Sequence, residues 1–245
     1  GPLLIFMGDF SLSFDEELEY ISIQHNNALN LSEGDTVLML FDLSNGQQRL
    51  GGSVLAQCFS RFGGEPPDLD DPDLIVRFFD AQRVLREKNL LLAYHDRSDG
   101  GLFATLVEMA FASRSGLNIQ LPKNISDVLA YLFNEELGVV MQVRCSDLPA
   151  VRAVCSEYDL GECAIVANPA RHGEIVIERE GFNLFKASRT RLHRWWSELT
   201  YRMQSLRDDP DCATEAYDEL LDEKDPGLNA DLTFKLVDHK STRSD

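Results

Sequence analysis

The sequence predicts an α+β domain in which helices pack on a mixed sheet. Three observations carry this. Apolar runs of strand length recur at 36–43, 90–94, 117–121, 138–143 and 162–166. Stretches with apolar residues at helical spacing stand between and beside them. Near the end of the alternation, 175–177 and 182–185 flank Glu180-Gly181, the pattern of a hairpin. Helices between strands together with a hairpin point to a sheet that is neither wholly parallel nor wholly antiparallel.

Each element has its own signal. Residues 1–34 carry no clear pattern: 14–23 (FDEELEYISI) is acidic with apolar residues at mixed spacing, and the following QHNNALNLSEGD reads as loop. The run 36–43 (TVLMLFDL) is continuously apolar up to a turn at 44–46, as a buried strand should be. Two glycines open 50–62, where Val54, Leu55, Cys58 and Phe62 fall at helical spacing. A Pro- and Asp-rich turn (63–73) leads to a helix over 74–88, with Asp73 as its cap. The run 90–94 reads as a central strand, and 102–113 as a helix apolar nearly all round, hence buried, ending at Gly116. Strands at 117–121, 138–143 and 162–166 alternate with helices at 126–133 and 147–157. Over 190–207, Leu192, Trp195, Trp196, Leu199, Met203 and Leu206 form one helical stripe. The adjacent tryptophans cannot both face one core, so one is expected to face a partner. From Asp208 the chain is acidic and broken by Pro210 and Pro226, the pattern of a tail or linker.

Composition narrows the function classes. The 245 residues are 44% hydrophobic, enough for a core, with no run long enough to span a membrane. A net charge of -18 opposes a phosphate backbone, so no nucleic-acid partner is expected, and a cytoplasmic location is. The opening Gly-Pro resembles a cleaved tag or an internal fragment. Five scattered cysteines without a CxxC pair suggest reduced structural thiols, with Cys155 and Cys163 as possible neighbours in space. The five histidines have no metal-ligand spacing.

The densest chemistry lies at 94–102, YHDRSDGGL. A strand ends there and a buried helix begins. A helix N-terminus presents unpaired N–H groups and positive dipole, and glycines let a ligand approach the backbone, so phosphate is a natural guest. Gly100 and Gly101 are candidate backbone donors and Ser98 a hydroxyl donor, with Arg97 adding charge if it points inward. Asp99 either caps the helix or holds Mg²⁺ through oxygen. His95 with Asp96 can orient a substrate or relay a proton. The competing reading is structural: strand–Asp–Gly–Gly–helix is a compact way to turn a chain. Gln48-Arg-Leu-Gly-Gly-Ser53 repeats the design, with Arg49 as a weaker anion contact or a surface residue. Asn134-Glu-Glu-Leu-Gly138 places two carboxylates before a strand, able to ligate a cation or pair with arginine, but by default a solvated helix end.

Five segments in order, QRLGGSVLAQCF (48–59), AYHDRSDGGLFATLVEMAFASRSGL (93–117), LFNEELGVVMQVR (132–144), RLHRWWSELTYRMQSLRDDPDCA (191–213) and DPGLN (225–229), closely resemble phosphoribosylformylglycinamidine synthase, in its large single-chain form. The resemblance runs from residue 35 to residue 234; residues 1–34 stand outside it. It implies a step of purine synthesis. Formylglycinamide ribonucleotide, ATP and glutamine give formylglycinamidine ribonucleotide, ADP, phosphate and glutamate. ATP activates the formamide oxygen as an iminophosphate, and ammonia from a glutaminase domain displaces phosphate.

By this resemblance 35–189 is the second C-terminal synthetase domain, with the fold of the aminoimidazole ribonucleotide synthetase superfamily. Residues 190–245 form a helix and acidic linker toward the glutaminase domain, and 1–34 are an unplaced segment. ATP and Mg²⁺ are the implied cofactors. Formylglycinamide ribonucleotide and the remaining synthetase and glutaminase domains of the same polypeptide are the implied partners. The resemblance turns the 95–101 loop toward an interdomain cleft, with Ser98, Gly100 and Gly101 at a phosphate and His95 and Asp99 near it. The family's glutaminase triad has no counterpart segment here, so none of the cysteines is assigned as nucleophile, no residue is assigned as catalytic, and the chain alone is expected to be inactive. The alternatives are a structural docking module of the same enzyme and a stand-alone relative such as aminoimidazole ribonucleotide or selenophosphate synthetase.

Overall fold

Strand β1 (Thr36–Asp42) is buried along all but its last residue. Successive side chains on a strand point to opposite faces. Accordingly Leu38 and Leu40 join one apolar layer, and Val37, Met39 and Phe41 join another. A continuous apolar run therefore marks a strand covered on both faces. The computed structural model describes residues 28–161 and 163–223. Among these residues no helix is long and apolar enough to cross a bilayer.

The described strands are β1, β2 (Ala93–Asp96), β3 (Gly116–Gln120), β4 (Gly138–Arg144), β5 (Ala164–Ala170), β6 (Glu174–Arg179) and β7 (Phe182–Ser188). They form a seven-stranded sheet in the order β2-β4-β1-β5-β3-β6-β7. Neighbours pair antiparallel except β3 and β6, which are parallel, so the sheet is mixed as expected. The β6–β7 turn places Glu180 and Gly181 at positive φ, the demand of a tight hairpin turn.

One face is covered by α2 (Pro72–Glu87) and α5 (Leu148–Glu157), through Leu74, Phe78 and Leu85 and through Val151 and Val154. The other is covered by α3 (Gly101–Ser113), α4 (Val128–Phe133) and the first turns of α6 (Arg189–Arg207). Leu29 also enters this second layer. Beside it, the fully buried Gln142 accepts from the Asn30 N–H at 2.7 Å and donates to the Asn30 carbonyl at 2.8 Å and the Thr36 hydroxyl at 2.9 Å. The end of the unplaced N-terminal segment is thus stitched into the domain. The acidic stretch 14–23 lies outside the described residues.

Four expectations need correction. The strand read over 90–94 is Ala93–Asp96, and among the described residues its sheet neighbour is β4. The helix over 50–62 shrinks to α1 (Val54–Cys58), which buries none of its residues and ends as Ser60 turns to positive φ. The cap of α2 is Asp71, which accepts from the N–H groups of Asp73 and Leu74, because Pro72 takes the first helical position where no N–H is needed. Gly116 does not end α3; Arg114 does so at positive φ, and Gly116 opens β3.

The acidic stretch after Asp208 is likewise not all linker. Asp209 caps α7 (Pro210–Asp218), and Pro210 starts the helix rather than breaking it. Helix α7 docks on α6 through stacked Tyr201 and Tyr217 rings 4.3 Å apart. Arg194 sits 3.6 Å from the centroid of the Tyr217 ring and 2.6 Å from Asp218. On α6, Leu192 is buried, and Trp196 packs beside Phe111 and His193. Trp195, under the Arg191 guanidinium, is 55% exposed, and Leu199, Met203 and Leu206 are more so.

Candidate functional site

Strand register assembles the site. Asp42 at the end of β1 pairs with Gly138 at the start of β4, and Asp96 at the end of β2 pairs with Val139. Two strand ends and one strand start therefore meet at one edge. The glycine-pair loops after β1 and β2 and the Asn134–Gly138 segment converge there.

Arg97 fastens this edge. Its main-chain N–H donates to the Gly138 carbonyl at 2.8 Å. Its buried guanidinium donates to the carbonyls of Glu136 and Leu137 at 2.6 and 2.8 Å, and pairs with Asp42 at 2.7 Å. The charge expected for a ligand points into the fold.

Arg49 behaves alike. It donates Nε to Glu136 Oε1 at 2.6 Å and Nη2 to Oε2 at 2.8 Å, while its main-chain N–H reaches Oε1 at 3.0 Å. Nη1 and Nη2 also reach the Asp70 carboxylate, and Nη2 the Asp68 carbonyl. Every guanidinium nitrogen has an acceptor, so the structure gives Arg49 internal partners where the sequence suggested an anion contact. The Glu136 side chain is 0% exposed. Burial alone would push its carboxyl up, but hydrogen bonds from Arg49 outweigh this and hold it below the ordinary carboxylate range. Asn134–Gly138 is thus no solvated helix end. Asn134 is buried too, donating back to the Ala130 and Tyr131 carbonyls.

Glu135 is the residue the sequence reading undervalued. Its Oε1 accepts from the N–H of Gly100 at 2.9 Å and from that of Val54 at 2.8 Å. One carboxylate oxygen ties together the first turns of α1 and α3. Gly100 is the N-cap residue of α3 and makes no side-chain cap bond. Asp99 is therefore not the cap; Glu135 serves from another segment. The Gly101 N–H donates to the Ser98 carbonyl at 2.9 Å, so the N–H groups of both glycines are engaged within the protein. The glycines are required by space and by conformation. Both have positive φ, and a Cβ on Gly101 would lie 2.5 Å from the Asn134 carbonyl oxygen and 2.7 Å from the Phe133 carbonyl carbon.

What faces out is short and polar. Asp96, Ser98 and Asp99 are exposed, and among the described residues no hydrogen bond or ion pair engages their side chains. A concavity of about 500 Å³ borders Arg49, between Leu50, Leu55, Phe59, Arg61 and Glu65, and no residue of the 95–101 loop lines it. The loop is an open rim.

His95 anchors the loop from behind. Nδ1 lies 2.9 Å from the Asp96 carbonyl and Nε2 lies 2.9 Å from Glu108 Oε2. Both ring nitrogens face acceptors, which suits an imidazolium. Burial opposes that charge, but Glu108 outweighs it and raises the His95 pKa. Burial also disfavours the Glu108 carboxylate, yet His95 and the Trp196 indole N–H, at 2.8 Å from Oε1, hold its pKa down. His95 thus links the loop to α3 and α6.

Comparison with known proteins matches residues 32–177 to the family described as AIR synthase related protein, C-terminal domain. The chain belongs to this family. Its fold recurs in solved structures at low identity. Thermotoga maritima PurL complexed with ATP aligns with a TM-score of 0.52 and 11% identity over 66% of this chain and 26% of that one. Phosphoribosylformylglycinamidine synthase II from the same organism aligns with a TM-score of 0.51 and 12% identity, over the same shares. T. maritima PurL complexed with AMPPCP gives 0.50 and 11%, again over the same shares. The chain therefore spans about a quarter of the length of the structures it matches. At such identity the likeness establishes the family's mixed sheet and its packed helices.

Proposed function

We propose that the chain is the second C-terminal synthetase domain of a large, single-chain phosphoribosylformylglycinamidine synthase, followed by the start of the linker toward its glutaminase domain. In this reading it forms one wall of a cleft for ATP phosphates. The observation that carries it is the rim at the start of α3, where the exposed Asp96, Ser98 and Asp99 side chains make no hydrogen bond within the described residues, on a loop tied down by Arg97 and Glu135. Membership of the AIR synthase related family supports it, as do the nucleotide complexes of T. maritima PurL.

The electrostatics bear on the metal. A phosphate beside Asp96 and Asp99 is repelled unless a cation stands between them. Hard carboxylate oxygens suit Mg²⁺, which binds through one or two carboxylates together with phosphate and water oxygens. When bound, Mg²⁺ supplies neutralisation of the phosphate charge. Asp99, with Asp96, would hold the metal; the Ser98 hydroxyl donates to a phosphate oxygen. His95 orients the loop rather than touching the ligand, since both its nitrogens are engaged. The cleft's other wall, formylglycinamide ribonucleotide and ammonia delivery belong to the remaining domains of the polypeptide.

The test is ATP turnover with formylglycinamide ribonucleotide and ammonium. The 245-residue chain alone should give none, and adding the remaining domains should restore amidine formation. In the restored enzyme Asp99→Ala should lower nucleotide affinity at least tenfold with the fold intact by circular dichroism; unchanged affinity removes Asp99 from the site. Amidine formed by the chain alone overturns the one-wall reading.

A further inference from the structure

Cys155 lies in the last turns of α5, and Cys163 immediately precedes β5. Between them Asp159 and Gly161 take positive φ and the Leu160 N–H returns to the Cys155 carbonyl at 2.9 Å, folding the chain back on itself. This brings the Cys163 thiol to donate to the Cys155 sulfur at 3.2 Å. Both side chains sit in the apolar layer with Val151, Val154 and Leu160, at 3% and 8% exposure. Cys58, Cys145 and Cys212 are exposed and carry no such pairing.

We propose that Cys155 and Cys163 form a reversible disulfide, closed by a peroxide and reopened by a dithiol. This does not depend on the nucleotide reading above. The pair is asymmetric in a useful way. The hydrogen bond from Cys163 lowers the Cys155 pKa, while Cys163, which supplies that proton, is pushed up. Cys155 is thus the nucleophile. Its thiolate attacks hydrogen peroxide: an S–O bond forms, the O–O bond breaks, and hydroxide leaves to take up a proton as water. The Cys163 sulfur then attacks the Cys155 sulfenic acid: the S–S bond forms, the S–O bond breaks, and the departing hydroxide leaves as water with the Cys163 proton. In sum two thiols and one hydrogen peroxide give one disulfide and two waters. Burial admits a small neutral peroxide and excludes bulky disulfides. The nearby Cys163 intercepts the sulfenic acid before it is oxidised further. The crosslink pins the end of α5 to the start of β5, a strand held between β1 and β3.

The test needs no variant. Residues 153–171 contain both cysteines and no internal Lys or Arg, so trypsin releases them on one peptide. The full chain, with its exposed thiols first blocked by a maleimide, is treated with hydrogen peroxide and digested without reductant. The expected peptide is lighter by two hydrogens and regains them with dithiothreitol; intact oxidised chain should melt higher than reduced. A peptide that stays in the dithiol form, or that gains two oxygens at Cys155 without a crosslink, overturns the proposal. Cys163→Ser provides the second reading. Cys155 should then be trapped as sulfenic acid by dimedone, and a Cys155 that dimedone leaves unlabelled counts against its role as nucleophile.

Discussion

The two glycine-pair loops, 48–54 and 95–101, share a design and differ in use. Each follows a sheet strand, carries an arginine, and turns through two glycines into a helix. After the first, α1 has five residues and buries none of them, and its cap is its own Ser53 side chain. After the second, α3 has thirteen residues, buries most of them, and borrows its cap from Glu135. Both arginines turn inward, to Glu136 and to Asp42. Charge in such a loop is therefore a poor guide to a ligand site. The better guide is which exposed side chains the fold leaves without hydrogen-bond partners among the described residues, here Asp96, Ser98 and Asp99.

The comparison can be broken most strongly at Arg97. Arg97→Ala leaves the Glu136 carbonyl without its donor and takes one donor each from the Leu137 carbonyl, which keeps the Leu43 N–H, and from Asp42, which keeps Ser44. Loss of one partner from a fully buried pair costs about 3–5 kcal/mol, and because Asp42 is partly exposed the loss expected here is about 3 kcal/mol. Urea unfolding should show that loss with an unchanged slope; a loss below 1 kcal/mol would mean that the edge is held by β-pairing alone. The glycines come next. Gly101→Ala adds a left-handed backbone penalty to a collision with backbone atoms of Phe133 and Asn134, together about 2–5 kcal/mol. Gly52 has φ +74 but open space around it, so Gly52→Ala should cost only about 1 kcal/mol. Equal losses at the two positions would remove the difference drawn between the loops. Of similar size is Glu135→Ala, which removes the acceptor of the Gly100 and Val54 N–H groups, while α1 keeps its Ser53 cap. A lost N-cap costs about 1 kcal/mol, and hydrogen exchange should quicken at the Gly100 and Val54 amides together. Exchange that quickens at only one amide would mean that the shared oxygen does not tie the loops.

Much of this was legible in the sequence, in a patterned way. Helix α3 and strands β1 and β4 could be read because burial on every side leaves continuous apolar runs. Ser98, Gly100 and Gly101 could be singled out because polar and glycine residues crowd one junction. Glu135 could not be read as a cap. Its partners are main-chain N–H groups 35 and 81 residues away, and two adjacent glutamates look alike until register turns Glu136 inward. Helix α7 was missed because proline was weighed as a breaker, although Asp209-Pro210 is a cap followed by a first-turn proline. The α6 stripe was right in spacing, but only Leu192 is buried, since periodicity tells which residues share a face and not what covers it.

The smallest expected effect tests how the second loop is held from behind. His95 and Glu108 attract only when the imidazole is protonated and the carboxyl is not. The His95 pKa is raised from 6.5, so its contribution is complete below that value and is lost as pH rises through the folded pKa. The Glu108 pKa is lowered from 4.5, so its contribution is complete above that value and is lost as pH falls through the folded pKa. The pair therefore stabilises most between about pH 4.5 and 6.5. His95→Gln should lose about 0.5–1 kcal/mol against the native chain at pH 5.5 and less at pH 8.5. Because the Trp196 indole donates to the same carboxylate, native tryptophan emission should shift as pH rises through the His95 pKa, and His95→Gln should abolish the shift. The first loop has no such histidine, so its stability should show no matching step; a Gly52→Ala penalty that changed over the same pH range would mean that the two loops respond as one unit through Glu135.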